Sequence, residues 1–398
     1  MIRRSVLVGG ALALSVNWVG GQQTRDTVRQ IVPDTLVAKA AADTTKRPLR
    51  LCAGGDVTLG SNLDSLWARN AAANMWDRFA RSAEPDSLLA PLHDFFRDAD
   101  IVLINVEGAI GEGPATKKCG AKSTSCYAFR SPPASAGAIA RLGDPATRVV
   151  GNVANNHSHD AGGDGLLATI ALLDSAGVRV TGADTLATVV VTTRGDTVAF
   201  LGFYTGSDSP DARDIRGVRR HVERAAAQYG IVVVTMHLGA EGAAAQRTRN
   251  VSEKFVGTER GNPVAFATAA VAGGATAVIG HGPHVLRAGE WQDSSLVLYS
   301  LGNLLNYGTF SLQEPMNHGA VACMEIGGAR KVRAATLAST IQIAPGVVLW
   351  DWSARSAAII DSLSRLDFPQ SAVSVDVDGT VGRRSPAAPV IGVRKPPR

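Results

Sequence analysis

Residues 151–162 read GNVANNHSHDAG and place three asparagines, two histidines and an aspartate directly after an apolar run. Val149, Val150 and Val153 are β-branched, which predicts a buried strand whose end delivers these polar side chains into a cleft. Amide, imidazole and carboxylate groups can together bind a divalent metal, hydrogen-bond to an anion and move protons. The motif therefore predicts one part of a site that needs further ligands from elsewhere in the chain.

Other metal-competent side chains also follow predicted strands. They are Asp56, Asn105, Glu107, His237, Glu241, His281 and His284. An isolated histidine on a loop is more often solvated than a ligand, and an isolated aspartate after two glycines is more often a turn residue. Repetition at successive strand ends weakens that interpretation, because a hydrolytic metal site needs carboxylates and neutral imidazoles from separate elements. Asn303, in SLGN, fits either a site residue or a turn.

The elements that must position these residues alternate between strands and helices. Residues 231–235 read as an apolar strand ending at His237, and residues 262–273 read as a helix with Pro263 in its first turn. Gly195 and Asp196 separate two β-rich runs, which predicts a hairpin. Polar motifs recur at the carboxyl ends of the strands, so we predict an α/β sheet fold with its site along one edge.

Composition sets broad limits on function. The 398 residues are 45% apolar and 19% charged, values typical of a globular protein, and suit one large domain with appendages better than two modest ones. A net charge of +5 is compatible with an acidic substrate or a membrane surface. The scattered Lys and Arg residues accompany no recognisable motif, which argues against nucleic acid as a partner.

The amino terminus has the pattern of a secretion signal. Arg3 and Arg4 precede the almost wholly apolar residues 5–16, and polar residues follow Gly21. We therefore predict a signal peptide over 1–21, a linker over 22–46 and an exported protein that is periplasmic, extracellular or associated with the cell envelope. An uncleaved membrane anchor is the alternative.

The four cysteines predict one disulfide. Cys119 and Cys126 lie seven positions apart in a loop-like segment without His or carboxylate, so a local disulfide is expected in an exported protein. Cys52 and Cys323 lie in apolar strands and are expected to be free, buried thiols. The basic residues of the loop are expected to be solvated; they are Lys117, Lys118, Lys122 and Arg130.

Six motifs, in a fixed order, resemble the CapA family of capsule and poly-γ-glutamate synthesis proteins. They are GDVTLG, INVEGAI, ANNHSHDAG followed by GLLATIALLDSAGV, MHLGAEG, GHGPHVL and YSLGNLL, and they extend over roughly residues 49–343. The resemblance implies a fold similar to the calcineurin-like metallophosphoesterases, a four-layer α/β/β/α sandwich with metals at the carboxyl edge of its sheets. The implied domain spans 47–345, followed over 346–398 by a C-terminal extension with a mobile basic tail.

The same resemblance assigns roles to individual residues. The implied metal ligands are Asp56, Glu107, Asn156, His237, His281 and His284. His157 is the implied acid or anion binder, while Asn155, Asp160 and Glu241 orient the groups around it. His159 is expected to be solvated. One or two divalent ions of Mn, Zn, Fe or Mg would polarise a carbonyl or phosphoryl group, and His157 would protonate the leaving group.

Two departures from the phosphoesterase pattern bear on metal number. The first motif of a phosphoesterase has the form Asp-x-His, but Thr58 follows Asp56 and Val57 here. Two residues separate His281 from His284 where a phosphoesterase has one, and Gly282 stands where many family members carry another histidine. These departures favour one well-formed metal site over two.

Three functions remain open from the sequence. The first is an exported CapA-like protein that acts through a metal-dependent hydrolase-like site in the synthesis, release or attachment of an anionic polymer of the poly-γ-glutamate type. The second is a non-catalytic scaffold or polymer-binding component of a membrane synthase. The third is a secreted phosphoesterase of small substrates. The expected partners are an anionic polymer or cell-envelope substrate and membrane synthase components.

Overall fold

The computed structural model describes residues 47–60, 64–113, 118–119, 127–206, 209–328 and 330–384. The predicted signal peptide and linker, and residues 385–398 of the predicted basic tail, lie outside this range. No helix within it has the length and apolar character needed to cross a membrane.

The strands are β1 (Leu49–Thr58), β2 (Ile101–Val106), β3 (Ala109–Ile110), β4 (Arg130–Ser131), β5 (Arg148–Asn152), β6 (Arg179–Thr181), β7 (Thr188–Val191), β8 (Thr197–Tyr204), β9 (Ile231–His237), β10 (Lys254–Phe255), β11 (Thr258–Glu259), β12 (Ala277–His281), β13 (Gly289–Gln292), β14 (Ser295–Leu298), β15 (Asn303–Asn306), β16 (His318–Ile326), β17 (Val332–Ile343), β18 (Val347–Trp350), β19 (Val373–Val375) and β20 (Val381–Arg383). The helices are α1 (Ser65–Phe79), α2 (Pro85–Leu89), α3 (Ala134–Ala140), α4 (Gly162–Ser175), α5 (Ile215–Gln228), α6 (Pro263–Ala272) and α7 (Arg355–Asp367), with a 3₁₀ helix at Ala90–Phe96.

Two large mixed sheets contain most of the strands. The first has eight strands in the order β18-β17-β16-β1-β2-β5-β6, with β15 also paired to β1. The second has six, in the order β13-β14-β12-β9-β8-β7. In each sheet the central strands are parallel, β1, β2, β5 and β6 in the first and β8, β9, β12 and β14 in the second. Parallel central strands read as continuous apolar runs because both faces are buried.

Three apolar clusters separate four layers. Leu51 and Leu103 of the first sheet pack with Phe200 and Ile279 of the second, so the two sheets share one core. The opposite face of the first sheet packs against α1 to α4, and the opposite face of the second packs against α5 and α6. The predicted α/β/β/α sandwich is confirmed.

Local signals in the sequence account for several boundaries. Asn262 caps α6 by accepting a hydrogen bond from Ala265 N at 3.1 Å, and Pro263 occupies the first turn, where its missing N–H costs nothing. The predicted hairpin forms between β7 and β8, with Thr192 N bonded to Asp196 O. These local caps and turns therefore set where the elements begin and end.

The segment after Pro345 packs into the same core. Strand β18 pairs with β17, while Ala357 and Ile360 of α7 are buried in the cluster between the sheets. Val373 of β19 and Val381 of β20 join them. The strands β18, β19 and β20 have only three or four residues each, so too few apolar positions recur in them to give a clear strand pattern in the sequence.

The prediction of free thiols at Cys52 and Cys323 is wrong. They lie opposite each other on the antiparallel strands β1 and β16 and form a buried disulfide. Cross-strand register brought together two cysteines separated by 271 positions, and such a register cannot be read from spacing. Cys119 is also disulfide-bonded, but its predicted partner Cys126 lies outside the described residues.

Removal of the sheet disulfide should destabilise the fold. A cross-link that closes a loop of this length restricts the unfolded chain strongly, so we expect Cys52→Ala/Cys323→Ala to lose roughly 2–5 kcal/mol of unfolding free energy. Urea unfolding followed by circular dichroism measures the change. Cys119→Ala is the control. The predicted Cys119–Cys126 disulfide closes a much shorter loop, so this variant should lose less unfolding free energy. An unchanged midpoint in the double variant would contradict the prediction.

Candidate metal centre

The carboxyl ends of the parallel strands in both sheets bring the predicted site residues close together. In the first sheet Asp56 lies opposite Asn105 of β2 and Asn303 of β15. In the second sheet His237 of β9 lies opposite His281 of β12. The parallel alignment of neighbouring strands brings residues distant in sequence into register at one edge.

Asp56 contacts two imidazoles at the centre of the site. Its Oδ1 lies 3.6 Å from His281 Nδ1, and its Oδ2 lies 3.2 Å from His284 Nδ1. The backbone before Asp56 lies very close to the backbone that leads into β15, because a Cβ on Gly55 would lie 2.0 Å from Gly302 O. The glycine before Asp56 therefore allows β1 and β15 to approach.

Glu107 forms the other half of the cluster. Its Oε1 lies 3.8 Å from His237 Nε2 and 3.5 Å from His284 Nε2. His284 Nε2 also lies 3.9 Å from Glu241 Oε2. One oxygen each from Asp56 and Glu107 and one nitrogen of His284 lie within 4.8 Å of one another, a spacing that suits a single ion.

Burial and neighbouring charges shift the pKa values of five groups in the cluster. It lowers the pKa of His237 well below its usual range and that of His281 to about 4, so both imidazoles are neutral and can act as ligands. Burial raises the pKa of Glu107 well above its usual range. For His284, burial opposes the charged form but Glu107 and Asp56 outweigh it and raise the pKa to about 10. For Asp56, burial is outweighed by His284, and the pKa falls below its usual range.

Several buried polar atoms of this cluster have no hydrogen-bond partner among the described residues. They are both carboxylate oxygens of Glu107, Nε2 of His237 and both ring nitrogens of His281; Oδ1 of Asn156, at the neighbouring motif, is also unpaired. Each orphaned buried polar atom costs on the order of 1–3 kcal/mol, so this concentration requires an explanation. Coordination of a divalent cation would satisfy lone pairs of this kind, and the donor set fits such an ion.

The turn between His281 and His284 has a backbone that suits its position. Gly282 has φ +107°, and a Cβ there would lie 3.0 Å from His237 Cδ2. His284 itself has φ +58°, a left-handed conformation uncommon outside glycine. Gly282 therefore allows the turn to pack tightly on the His237 ring.

Three asparagines connect the strand ends beneath the cluster. Asn105 donates to Asp56 Oδ1 at 2.8 Å and contacts His237 Nδ1 at 3.2 Å. Its own carbonyl accepts hydrogen bonds from Asn152 at 2.9 Å and Asn155 at 3.1 Å. An amide can donate and accept at once, so it orients a carboxylate and an imidazole without adding charge.

Asn303 performs a similar role on the other side of Asp56. Its Oδ1 contacts His284 Nδ1 at 2.9 Å, and its Nδ2 donates to His284 O at 3.2 Å and Met316 O at 2.9 Å. Of the two interpretations that the sequence left open, the structure favours a site residue.

His157 and Asp160 form a hydrogen-bonded pair outside the carboxylate and imidazole cluster. His157 Nδ1 lies 2.7 Å from Asp160 Oδ2, which also accepts a hydrogen bond from Phe129 N at 2.6 Å. Lys118 forms an ion pair with the other Asp160 oxygen and donates to Asn156 O at 3.0 Å. Burial lowers the pKa of His157, although Asp160 opposes this shift. Lys118 is exposed, as expected for a solvated loop residue, but its ammonium also forms an ion pair with the buried Asp160 carboxylate.

Arg260 links two further side chains to the ligands. It forms an ion pair with Glu241 and donates to Tyr204 OH at 3.1 Å. The Tyr204 ring in turn meets the His237 ring edge to face at 5.7 Å. No signal in the sequence pointed to Arg260, because it lies outside the strand-end motifs.

A cavity of about 190 Å³ opens beside the asparagine and histidine motif. Its lining includes Asn155, Asn156, His159, Tyr204 and Ser209. His159 is partly buried there rather than wholly solvated. The cavity offers room for a substrate group next to Asn156.

The structure therefore brings most of the predicted residues together. Direct contacts join Asp56, Glu107, His237, His281, His284 and Glu241 into one cluster. Asn155 connects this cluster to His157, whose backbone N donates to Asn155 Oδ1 at 3.0 Å. Asn156 lies beside the cavity with its Oδ1 unpaired among the described residues. Assignment of each residue as ligand or acid remains a prediction.

Comparisons with known proteins identify a family and two similar structures. A family model described as "Bacterial capsule synthesis protein PGA_cap" matches residues 50–307. Solved structures that are similar include a putative 5'-nucleotidase from Staphylococcus aureus in complex with alpha-ketoglutarate, at 13% identity and TM-score 0.41, over 73% of this chain and 53% of that one. A 5'-nucleotidase precursor from Thermus thermophilus matches at 14% identity and TM-score 0.33, over 74% and 54%. The chain thus spans about half the length of these structures. A search of curated proteins found no match.

Loss of one imidazole should abolish stoichiometric metal binding. We expect the wild-type protein to bind one Mn²⁺ or Zn²⁺, and the His237→Ala variant to retain no metal after dialysis. The reason is that Nε2 of His237 is a buried nitrogen that can ligate a metal and has no hydrogen-bond partner among the described residues. Inductively coupled plasma mass spectrometry measures the content. His93→Ala is the control, since His93 is exposed on the 3₁₀ helix and takes part in none of the contacts that form the cluster. Equal metal content in the two variants would refute the ligand assignment.

Asn303→Ala should weaken binding without abolishing it. Its side chain contacts His284 rather than presenting an unpaired donor to the cluster, so we expect affinity to fall about 10–100-fold. Isothermal titration with Mn²⁺ measures the change, and an unaltered dissociation constant would contradict an orienting role.

Proposed function

The chain belongs to the bacterial capsule synthesis protein family, and we propose that it is an exported, metal-dependent hydrolase-like protein that processes an anionic capsule polymer of the poly-γ-glutamate type. Its role lies in synthesis, release or attachment of that polymer. The observation that carries the catalytic part is the set of buried, unpaired ligand atoms on Glu107, His237 and His281 in the described part of the chain.

The donor set limits the choice of ion. Three imidazoles and two carboxylates favour Zn, Mn or Fe over Mg, which prefers oxygen ligands and water. The candidate ligands are Asp56, Glu107, His237, His281 and His284, with Asn156 as a sixth. A bound ion would polarise a carbonyl or phosphoryl group and lower the pKa of a water molecule.

His157 supplies the proton in this proposal. Asp160 occupies Nδ1 and so fixes the orientation of the ring, which leaves Nε2 to exchange a proton with a leaving group. Lys118 and the backbone N–H of Phe129 hold the Asp160 carboxylate in place. The cavity beside Asn156 receives the adjoining part of the substrate.

Export is supported by the covalent structure. The Cys52–Cys323 bond is buried in the sheet core, and disulfides of this kind persist in oxidising compartments. The net charge of +5 is compatible with binding to an anionic polymer.

A non-catalytic scaffold is the second candidate, and one contact favours it. Thr58 stands where a phosphoesterase has a second imidazole, and its hydroxyl donates to Glu107 O at 3.1 Å instead of facing the cluster as a ligand. A single ion could then hold the strand ends together without hydrolysis. Binding of the polymer without turnover by the metal-loaded protein would support this candidate.

Replacement of His157 should separate chemistry from metal binding. We expect His157→Asn to lower kcat about 10²–10⁴-fold on poly-γ-glutamate or on bis-p-nitrophenyl phosphate with Mn²⁺, while metal content stays at one ion. Release of amine or nitrophenol measures the rate. His93→Ala is the control, because His93 is exposed on the 3₁₀ helix at Ala90–Phe96 and lines neither the cluster nor the cavity, and it should keep kcat within about threefold.

The possible results distinguish the candidates. Turnover of the polymer that is lost in Glu107→Gln supports the hydrolase, whereas turnover of the small phosphodiester alone supports a phosphoesterase of small substrates. Absence of turnover on both substrates by fully metal-loaded protein refutes the hydrolase and leaves the scaffold.

A further inference from the structure

Three aromatic rings form a stack that leads from the core to the surface. The rings of Phe95 and Trp350 are stacked at 4.0 Å with 20° between their planes, and those of Trp350 and Trp352 at 5.5 Å with 19°. Exposure rises along the stack from 4% at Phe95 through 38% at Trp350 to 87% at Trp352. A large indole this exposed forgoes apolar burial, which indicates a surface that is covered by something else.

Trp352 is presented by a well-bonded loop between β18 and α7. Asp351 accepts hydrogen bonds from Ser353 N at 3.0 Å and Arg355 N at 2.9 Å, and its own N–H donates to Ser339 O at 3.0 Å. Ala354 N closes the turn onto Asp351 O. A ring held in this way loses little further conformational entropy on binding a ligand.

The stack is connected to the same edge of the first sheet as the metal centre. Arg355, three residues after Trp352, forms an ion pair with Glu314 at 2.8 Å. Two residues beyond Glu314, Met316 O accepts a hydrogen bond from Asn303, which contacts His284. A polymer lying on the indoles would thus run near the segment that supports the ligands.

The size and charge of the patch argue against two kinds of occupant. A tryptophan has up to about 250 Å² to bury, so the exposed parts of Trp350 and Trp352 amount to roughly 300 Å². A stable dimer needs about 800 Å² per partner. Binding to an anionic membrane is favoured by unpaired cations beside the aromatic rings, whereas the charge of Arg355 is offset by Glu314.

We propose that the Trp352 indole, stacked on Trp350 and through it on Phe95, is a platform whose open face binds a pyranose ring of a β-1,4-linked glycan chain. Such rings carry equatorial hydroxyls and present flat C–H faces, which match the open indole face in shape and polarity. The half-exposed side chains of Arg355 and Glu314 beside the stack can donate to and accept from the hydroxyls at the ring edge. The glycan is a second polymer, distinct from the anionic one, and its binding does not rest on the metal centre.

Affinity electrophoresis of the full chain tests the platform. Native gels contain hydroxyethyl cellulose or glycol chitin as soluble β-1,4-linked probes, and the protein is run with and without chelator. We expect retardation of the wild type, a loss of at least tenfold in affinity in Trp352→Ala, and partial retention in Trp352→Phe, which keeps a planar ring. Trp76→Ala is the matched control, because Trp76 is 66% exposed on α1 and has no ring contact in the described structure. Thermal unfolding verifies that Trp352→Ala remains folded.

Each contrary outcome overturns the proposal. No retardation of the wild type in either gel, or equal retardation of wild type and Trp352→Ala, excludes a glycan platform. If neither glycan gel retards the protein, sedimentation with phosphatidylglycerol vesicles that depends on Trp352 assigns the surface to a membrane. Dimers that depend on Trp352 in light scattering assign it to a second copy of the chain. Retention in poly-γ-glutamate gels alone assigns it to the polyanion. Loss of polymer turnover with glycan retardation intact would refute only the hydrolase.

Discussion

Burial of ionisable groups at the edge of two sheets is the constraint on which this site depends. Asp56, Glu107 and three imidazoles are withdrawn from water, and several of their donor atoms have no partner among the described residues. Desolvation of such groups is costly unless a compensating charge is present. The contact of His284 with both carboxylates offsets part of this cost within the chain. A divalent cation would offset the remainder, so metal binding and stability of this edge are coupled.

Asparagines rather than charged residues hold the cluster in place. Asn105 of β2 contacts both Asp56 and His237. Asn303 of β15, the other parallel neighbour of β1, contacts His284. Amides fix geometry by donating and accepting at the same time, without adding charge to a cluster that already contains several ionisable groups. The Thr58 hydroxyl donates to a backbone carbonyl, so the first motif contributes Asp56 as its one candidate ligand. This composition is consistent with a single ion.

Two other features surround this centre and serve different purposes. The His157–Asp160 pair, held by Lys118, places an imidazole at the rim where a leaving group would depart. The tryptophan stack lies beyond Glu314 and offers a flat apolar face to solvent. In our proposals the first region exchanges a proton with the anionic polymer, and the second binds a separate glycan chain.

The sequence by itself determined the alternation of strands and helices, and the residues at the strand ends that carry chemistry. Apolar runs ending in Asp56, Asn105, His237 and His281 are local signals, and the ordered motifs identified the family and its four-layer fold. Periodicity alone supported only an α/β class, because it records which face of an element is buried and not which element covers it.

Tertiary structure decided everything that depends on register and on contacts between distant segments. The Cys52–Cys323 bond follows from the pairing of β1 with β16, and a shift of one residue would have separated the two thiols. Lys118 was expected to be a solvated loop residue and Arg260 carried no signal in the sequence, but the folded chain pairs them with Asp160 and Glu241. The physical reason is common to these cases: a side chain's partner is set by the packing of remote strands, which no local pattern encodes.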